Sequence, residues 1–319
     1  MTGRRILSHT APVAQRWQQA RVTTLTALTS SDVPETQRGE AAADRAFRLH
    51  CINRDSTNGA LLKYRDWQGY MVTGQHSGTH WIKWMLSHAM AAQYGVEPPR
   101  FFNNSSSNEI IGHPKHKRVH DALPRIASSH SIPPYALAWK WVRALMPVPP
   151  YGVVVRNIRD VMVSNYEKWR GTDRKTYDVP FSRYVAGDPT GKAYVCDVWW
   201  YVHFLNRWGE VASRFPRETR VIRYEDFQAD RRAALETLAT HLGLTLSAAA
   251  LDAGAAAGAK EVMANHQDPE VAERPLRMDG MKAATFSDAD EAMLQGILDR
   301  NLKHDFGYGY LGAPRGFQA

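Results

Sequence analysis

Short apolar runs alternate with longer amphipathic stretches along the middle of the chain, and this pattern predicts strands and helices in turn. Strands are expected at residues 70–73, 125–130, 151–156 and 220–224. The run at 151–156 contains three consecutive valines, which is typical of a central parallel strand buried on both faces. Helical patterns follow at residues 81–86, 159–169, 193–215, 233–242 and 248–259. The alternation predicts an α/β fold with three layers, a central parallel sheet flanked by helices.

Two stretches depart from this regular pattern. The first 60 residues show no long periodic face and are interpreted as an N-terminal extension with a short helix, whereas residues 61–319 are expected to form a single α/β domain. Residues 96–124 are rich in loop-forming residues. Within them, the polar run 103–108 is either a mobile lid or a disordered surface loop, and the basic string 115–118 is expected to be a solvated loop.

Composition narrows the class of protein. With 319 residues, 44% of them hydrophobic and 23% charged, the chain is a globular protein and neither disordered nor collagen-like. Its 40 basic and 32 acidic residues give a charge of +8, which suggests an anionic ligand. Because no long basic block or aromatic-basic alternation is present, a nucleic-acid partner is not expected.

Location follows from the cysteines and the apolar runs. Cys51 and Cys196 are too few for a disulfide framework, so a reducing compartment is expected. No apolar run approaches the ~18 residues of a membrane span, and no secretory signal is recognisable at the start. The sequence therefore predicts a cytoplasmic protein without a membrane span, and its oligomeric state is left open, a homodimer included.

A loop of small residues, 74–79, joins the first predicted strand to the following helix. Such a loop directs several backbone N–H groups toward one point, where the helix N-terminus adds partial positive charge. Ser77 and Thr79 add hydroxyl donors, and Gly78 permits close approach of a phosphate. A tight turn without a ligand is the alternative. No lysine precedes either hydroxyl, so the loop is not that of a nucleoside-triphosphate hydrolase.

A second candidate site follows the valine-rich strand. Arg156 stands at the end of that strand, and Ser164 lies on the helix that comes next. In parallel α/β sheets, ligands bind at the carboxyl ends of the strands. Arg156 and Ser164 are therefore candidates for binding a phosphate, with a structural salt bridge as the alternative for Arg156.

Four segments match motifs that occur together elsewhere. Residues 75–81 (QHSGTHW) resemble a loop written PKSGTTW, and residues 156–164 (RNIRDVMVS) resemble a segment written RNPKDVAVS. Residues 123–133 are similar to PRxxKTHLP, and residues 223–227 to a YEDL strand end. Together the four segments resemble the PAPS-dependent sulfotransferases, in which the first motif is the 5′-phosphosulfate loop and the second is the 3′-phosphate segment. The resemblance covers about residues 68–300. It implies a P-loop-like fold and in-line transfer of a sulfuryl group from PAPS (3′-phosphoadenosine 5′-phosphosulfate), which leaves PAP, without a required metal.

The resemblance also implies roles for individual residues. His130 matches the general base, and a histidine suits that task because its ordinary pKa is about 6.5. Trp81 and Tyr224 match the adenine contacts, and Arg156 and Ser164 match the 3′-phosphate clamp. Arg277 and Gly280 are the nearest match to a further 3′-phosphate element, with Arg274 as an alternative. The loop around the 5′-phosphate is matched by Gln75, His76, Ser77, Gly78, Thr79 and His80.

The sequence departs from the family at two lysines. His76 stands in place of the loop lysine, and Ser128 in place of the lysine before the catalytic histidine. The hypothesis is that His76, protonated over part of the pH range, donates a hydrogen bond to the bridging oxygen. The competing explanations are a slow enzyme, or charge supplied by the basic loop 115–118. Lys83 is expected to be a solvent-facing helix lysine.

The acceptor is the least specified part of the prediction. A dense group of aromatic residues either lines an acceptor pocket or belongs to the core: Trp139, Trp141, Trp199, Trp200, Tyr201 and Trp208. A hydroxyl or amine of a soluble small molecule is the expected acceptor. The alternatives are a catalytically weak protein that binds PAP or another nucleotide, and a P-loop kinase, which the missing lysine and missing magnesium ligands disfavour.

Overall fold

A four-stranded parallel sheet forms the centre of the protein. The computed structural model describes residues 35–57, 67–112, 119–268 and 284–311. Its strands are β1 Gly69–Thr73, β2 Ile126–Ser129, β3 Tyr151–Val155 and β4 Thr219–Arg223. Their order across the sheet is β2-β1-β3-β4, and every neighbouring pair is parallel. The predicted parallel α/β sheet is confirmed, and its strands lie within a residue or two of the expected positions.

Helices cover the sheet and connect its strands. A first group consists of α1 Glu35–Thr57, α2 Thr79–Tyr94, α3 Asn104–Ile111, α4 Lys140–Leu145, α5 Ile158–Trp169 and α6 Phe181–Ala186. A second group consists of α7 Val198–Arg214, α8 Tyr224–Ala229, α9 Arg231–His241, α10 Ala248–Ala257, α11 Lys260–Asn265 and α12 Asp288–Asn301. Short 3-10 turns lie at Tyr135–Ala138 and Lys175–Tyr177.

The two central strands carry the core. All residues of β1 and β3 are buried, as expected for strands covered on both faces, whereas β4 at the edge also has half-buried and exposed positions. Gly152 in β3 allows α9 to pack closely, because a Cβ atom there would overlap Leu238. The buried valines of β3 thus fix the position of Val155, which is the carboxyl end of this strand.

The structure corrects the prediction for the polar run 103–108. Instead of a mobile lid or disordered loop, this run begins α3. The Asn103 side chain caps the helix by accepting a hydrogen bond from the Ser106 N–H at 2.8 Å, and Ser107 and Asn108 are buried. The basic string at 115–118 lies outside the described residues.

Two helix boundaries also differ from the sequence interpretation. α7 begins at Val198, five residues later than expected, because the Asp197 side chain caps it by accepting from the Trp200 N–H at 2.9 Å. α1 spans 23 residues rather than a short helix. Its residues from Asp44 onward belong to one compact unit with the sheet, and residues 35–43 belong to a separate unit. The division at residue 60 stays a prediction.

Ion pairs join the second half of α1 to α7. Asp55 lies 2.8 Å from His203 Nε2 and 3.1 Å from Arg207 Nε, and all three side chains are at most 5% exposed. Removing one member of such a buried group leaves an uncompensated charge, which typically costs about 3–5 kcal/mol. This cluster therefore fixes the second half of α1 against α7. No helix in the described ranges has the length and apolar character of a membrane span.

Candidate functional site

The loop after β1 forms a tight turn at the carboxyl edge of the sheet. The Gly74 N–H donates to Val154 O at 2.8 Å, and the Ser77 N–H donates to Gly74 O at 3.2 Å. Gly78 has a φ of +77° and precedes the first residue of α2. A Cβ atom at Gly78 would lie 2.5 Å from the Tyr224 ring, so this position requires glycine for both conformation and space.

The loop hydroxyls are held by neighbouring side chains. Ser77 is buried, and its Oγ lies 2.9 Å from the Tyr201 hydroxyl, which also accepts the Arg156 N–H at 2.8 Å. Thr79 Oγ1 lies 2.6 Å from Thr73 Oγ1. The hydroxyl of Ser77, expected to serve as a phosphate donor, therefore links the loop to α7 and to the end of β3.

Arg156 follows β3 and spans the loop. Its Nη1 donates to His76 O at 2.9 Å, and its guanidinium carbon lies 4.5 Å from the centre of the Tyr224 ring. Tyr224 in turn packs edge-on against Trp81, with ring centres 5.5 Å apart. Within the described residues, the buried Nε of Arg156 has no hydrogen-bond partner. No carboxylate is bonded to this guanidinium in the described residues, so the salt-bridge alternative is not supported.

A cavity of about 290 Å³ lies in front of this loop. Lys168 and Phe102 also line it, as does His130. Eight of the predicted cofactor residues line the cavity: Gln75, His76, Gly78, Thr79, His80, Trp81, Arg156 and Ser164. Ser77 and Tyr224 stand behind its wall, whereas Arg277 and Gly280, together with the alternative Arg274, lie outside the described residues.

His76 lies in the loop after β1. Its Nδ1 lies 3.2 Å from Ser164 Oγ, and its backbone φ is +59°. Burial, followed by the nearby charge of Lys168, lowers the pKa of His76 from 6.5 to about 3. This shift disfavours the protonated form of the ring, and the role of His76 as a donor to the bridging oxygen stays a prediction.

His130 follows β2 and lies beside the end of β1. Its Nδ1 lies 2.8 Å from Thr73 O and 3.2 Å from Thr73 Oγ1. A carbonyl oxygen only accepts, so this contact assigns the proton to Nδ1 and leaves the lone pair on Nε2. Burial lowers the pKa of His130 below its ordinary 6.5, an effect that the bond to Thr73 O opposes and that Lys83 and Lys168 reinforce.

Lys83 is not solvent-facing as expected. Its side chain on α2 is 1% exposed, and burial lowers its pKa from 10.5 to about 8. Its charge acts on both His80 and His130. Lys83 therefore adds positive charge behind the loop instead of facing solvent on the surface of α2.

A second cavity, of about 580 Å³, meets the first at two shared residues, Gln75 and His130. Its far wall comes from the second half of α1, which contributes His50 and Arg54, and from residues 188–200. His130 and Gln75 therefore line both cavities.

Comparison with known proteins identifies the family. Residues 68–275, well over half of the chain, match the family model described as the sulfotransferase domain. The chain belongs to the sulfotransferase family. Among solved structures, it is similar to mouse sulfotransferase SULT7A1 complexed with PAP, at 14% identity and a TM-score of 0.50, covering 81% of this chain and 90% of that one.

A second similar structure is retinol dehydratase in complex with androsterone and inactive cofactor PAP. Its identity is 13%, its TM-score is 0.46, and the match covers 81% of this chain and 86% of that one. At such identities the structural likeness supports the fold alone. A search of curated proteins finds no significant match.

The aromatic group of this sulfotransferase is divided among the larger cavity, the core and the surface. Trp199 and Trp200 line the larger cavity. Tyr201 and Trp208 are fully buried, and Trp139 and Trp141 stack on each other at 5.7 Å on the exposed surface. The pocket alternative therefore fits two of the six aromatic residues.

The sequence interpretation gave no cofactor-site role to three residues around the site, although it named Tyr201 among the aromatic candidates. Tyr201 joins Ser77 to the Arg156 backbone, Thr73 accepts from His130, and Lys168 lines the smaller cavity. A signal for Lys168 existed, because it lies four residues after Ser164 and so on the same face of α5. Tyr201 had no comparable local signal, since it lies 124 residues from Ser77.

Proposed function

We propose that this sulfotransferase transfers a sulfuryl group from PAPS to a hydroxyl or amine of a small-molecule acceptor. The observation that carries the proposal is the meeting of two cavities at His130, one bounded by the phosphate-type loop and one by aromatic and polar residues. The PAP complex of the similar mouse sulfotransferase supports the choice of cofactor.

The residues of the smaller cavity fit a nucleotide that carries two separate anionic groups. The loop and the N-terminus of α2 suit the 5′-phosphate, because a helix N-terminus favours negative charge. Arg156 and Ser164 suit the 3′-phosphate, and the orphaned buried Nε of Arg156 is a donor that such an anion would satisfy. Trp81 and Tyr224 suit the adenine ring. When bound, PAPS supplies the sulfuryl group.

His130 is the general base of the proposed reaction. Its Nε2 takes the proton of the acceptor as the acceptor oxygen or nitrogen attacks, while Thr73 O holds the ring by accepting from Nδ1 at 2.8 Å. The lowered pKa keeps the imidazole neutral, and therefore able to accept a proton, at pH 7. A base of this kind typically contributes about 10²–10⁴-fold in rate.

The first test is calorimetric titration with PAP, beside ADP and ATP–Mg²⁺, of the wild type and Arg156→Ala. Arg156 should contribute a charge-assisted contact worth about 1.5–3 kcal/mol, so the substitution should weaken PAP binding about ten- to a hundredfold. Arg217→Ala is the matched control, because Arg217 is exposed and precedes β4 at the opposite edge of the sheet.

Each outcome of this titration separates the candidates. Preference for PAP, lost with Arg156→Ala and kept with Arg217→Ala, supports the proposal. Equal affinity for PAP and ADP would mean that the protein does not recognise the 3′-phosphate, and it would contradict the assignment of PAPS as cofactor. Binding that requires ATP–Mg²⁺ would favour the kinase, and PAP binding without transfer to any acceptor would favour the catalytically weak protein.

A further inference from the structure

Two N–H groups at the start of α5 are held by side chains from later parts of the chain. The Asn157 N–H donates to Glu225 Oε1 at 3.0 Å, and the Ile158 N–H donates to the Tyr310 hydroxyl at 2.8 Å. N–H groups in the first turn of a helix have no partner within the helix and can bind either an anion or protein oxygens. Here protein oxygens hold both groups, so recognition of a 3′-phosphate depends on side chains, above all the guanidinium of Arg156.

Tyr310 lies in the segment that follows α12, and its own position is closely fixed. The side chain is buried, its ring stacks on that of Tyr308 with centres 5.5 Å apart, and its backbone carbonyl accepts from Gln295 Nε2 at 2.7 Å. The Tyr308 hydroxyl donates to Glu225 Oε2 at 2.6 Å. The two tyrosines thus hold both N–H groups of the α5 start, Tyr310 directly and Tyr308 through Glu225.

The turn between β3 and α5 sets the direction in which the Arg156 side chain leaves the backbone. The Arg156 N–H is itself held by the Tyr201 hydroxyl at 2.8 Å, so three successive N–H groups are bonded to side chains. From this turn the guanidinium reaches His76 O at 2.9 Å and lies 4.5 Å from the centre of the Tyr224 ring. A binding group whose support is fixed in this way loses less conformational freedom when its ligand binds.

We propose that Tyr310 is a positioning residue for the cofactor, which holds the start of α5 so that Arg156 is directed at the 3′-phosphate. The inference rests on the proposed function, since it takes PAPS and PAP as the ligands. Tyr310 is not among the described residues that line either cavity, so its effect on the cofactor must pass through the turn that it holds.

The test compares Tyr310→Phe with Tyr166→Phe, which also removes a buried tyrosine hydroxyl. The Tyr166 hydroxyl donates to Val179 O at 2.7 Å, and Tyr166 lies on α5 well beyond its start. Calorimetry measures the affinities for PAP and for ADP, which lacks the 3′-phosphate. Tyr310→Phe should weaken PAP binding about three- to tenfold, less than Arg156→Ala does, and leave ADP binding within about twofold. Tyr166→Phe should change neither affinity.

A double-mutant cycle shows whether the effect passes through Arg156. Tyr310→Phe should weaken PAP binding no further when it is added to Arg156→Ala, because the group that Tyr310 positions is already absent. A distortion of the whole site would instead weaken PAP and ADP in both backgrounds. In steady-state kinetics of Tyr310→Phe, the KM for PAPS should rise about three- to tenfold and kcat should not fall, since the 3′-phosphate is not the group transferred.

A readout that needs no ligand tests the contact itself. NMR follows amide hydrogen exchange of the Ile158 N–H, which should exchange faster in Tyr310→Phe because its acceptor is lost, and at an unchanged rate in Tyr166→Phe. Tyr308→Phe is the milder variant, because it keeps the Ile158 bond and releases only one oxygen of Glu225. It should show the same selective loss of PAP affinity to a smaller degree.

Failure of this inference is distinguishable from failure of the proposed function. If the wild type does not prefer PAP to ADP, the proposed function fails and the inference fails with it. If the wild type prefers PAP and Tyr310→Phe keeps the full preference, only the role of Tyr310 is overturned. Equal losses of PAP and ADP affinity, or a further loss of PAP affinity in the Arg156→Ala background, would make Tyr310 a structural residue and would also overturn the proposal.

Discussion

The two cavities that meet at His130 are assembled in different ways. The smaller one is built largely from two short segments, residues 75–81 and 156–168, each of which follows a central strand. The larger one draws His50 and Arg54 from α1 and the rest of its far wall from residues 188–200, more than 130 positions later in the chain. The walls of the smaller cavity thus come mainly from local segments of the chain, whereas the walls of the larger cavity depend on long-range packing.

The two cavities also differ in the charged side chains that line them. The described lining of the smaller cavity includes Arg156 and Lys168 and no carboxylate. The larger cavity contains Asp188, whose pKa falls to about 2 because hydrogen bonds from Thr190, Ala193 and Lys192 outweigh the opposing effect of burial. It also contains Asp197, whose pKa burial raises to about 6. This difference agrees with the proposed function, in which the smaller cavity takes the anionic cofactor and the larger cavity takes the acceptor.

The largest expected effect comes from the residue that the cavities share. His130→Ala should lower kcat about 10²–10⁴-fold and leave PAP affinity within about twofold, because the base acts on the acceptor proton. Steady-state kinetics and calorimetry measure the two quantities. His241→Ala is the control, a histidine whose ring contacts Tyr151 O at the opposite end of β3. Full activity of His130→Ala would refute the role of base.

The pH profile tests the same residue in the unmodified protein. A base must be neutral to act, so kcat/KM should rise with pH through the pKa of His130 and then level off. Since burial lowers that pKa, the midpoint of the rise should lie below about pH 6.5, the ordinary value for histidine. Rates measured from pH 4.5 to 8 in His130→Ala should lack this rise. A wild-type rise centred above pH 7 would contradict the assignment.

The same contrast explains what the sequence could and could not predict. Residues 75–81 and 156–164 carry conformational and chemical signals within a few positions, so the loop, the strand ends, Arg156 and Ser164 followed from local pattern, and the family resemblance supplied the other lining residues. The length of α1 did not follow. Its fixed position depends on the buried contact of Asp55 with His203, 148 residues away. No local pattern encodes such a contact.

The protonation states of the charged residues at the site were also beyond what local sequence pattern could predict. The sequence placed Lys83 on a helix but assigned it to the solvent face, whereas its neighbours Ile82, Trp84, Met85 and Leu86 are buried with it. It placed His76 in the loop but gave no measure of burial, which lowers its pKa to about 3. Protonation states depend on packing from several elements, and these become defined only when the chain is folded.

The next largest effect is expected from two glycines, whose substitution distinguishes PAP binding in the smaller cavity from the stability of α2. Gly78 and Gly95 flank this helix, with φ values of +77° and +67°. A Cβ atom at Gly78 would press on the Tyr224 ring, whereas at Gly95 nothing lies within 4 Å. Gly78→Ala should therefore weaken PAP binding at least about tenfold, and Gly95→Ala should cost only about 1 kcal/mol of backbone strain.

Calorimetry with PAP and urea unfolding of both variants distinguish these contributions. Gly95→Ala reports the backbone strain alone, because the two positions share a left-handed conformation. Any loss of PAP affinity beyond that control comes from displacement of Tyr224 and the loop. Equal PAP affinity in the two variants would mean that the loop does not bind the cofactor through its close approach to Tyr224.

The smallest effect should fall on the larger cavity alone. Trp200 lines that cavity and stacks on Phe204 at 5.2 Å. If an aromatic contact to the acceptor contributes about 0.5–1.5 kcal/mol, Trp200→Leu should raise the acceptor KM roughly two- to tenfold. Trp141→Leu, at an exposed tryptophan outside both cavities, is the control. PAP affinity should be unchanged in both variants, because the walls of the smaller cavity come mainly from other segments of the chain. Weaker PAP binding in Trp200→Leu would show that the two cavities are mechanically coupled through α7.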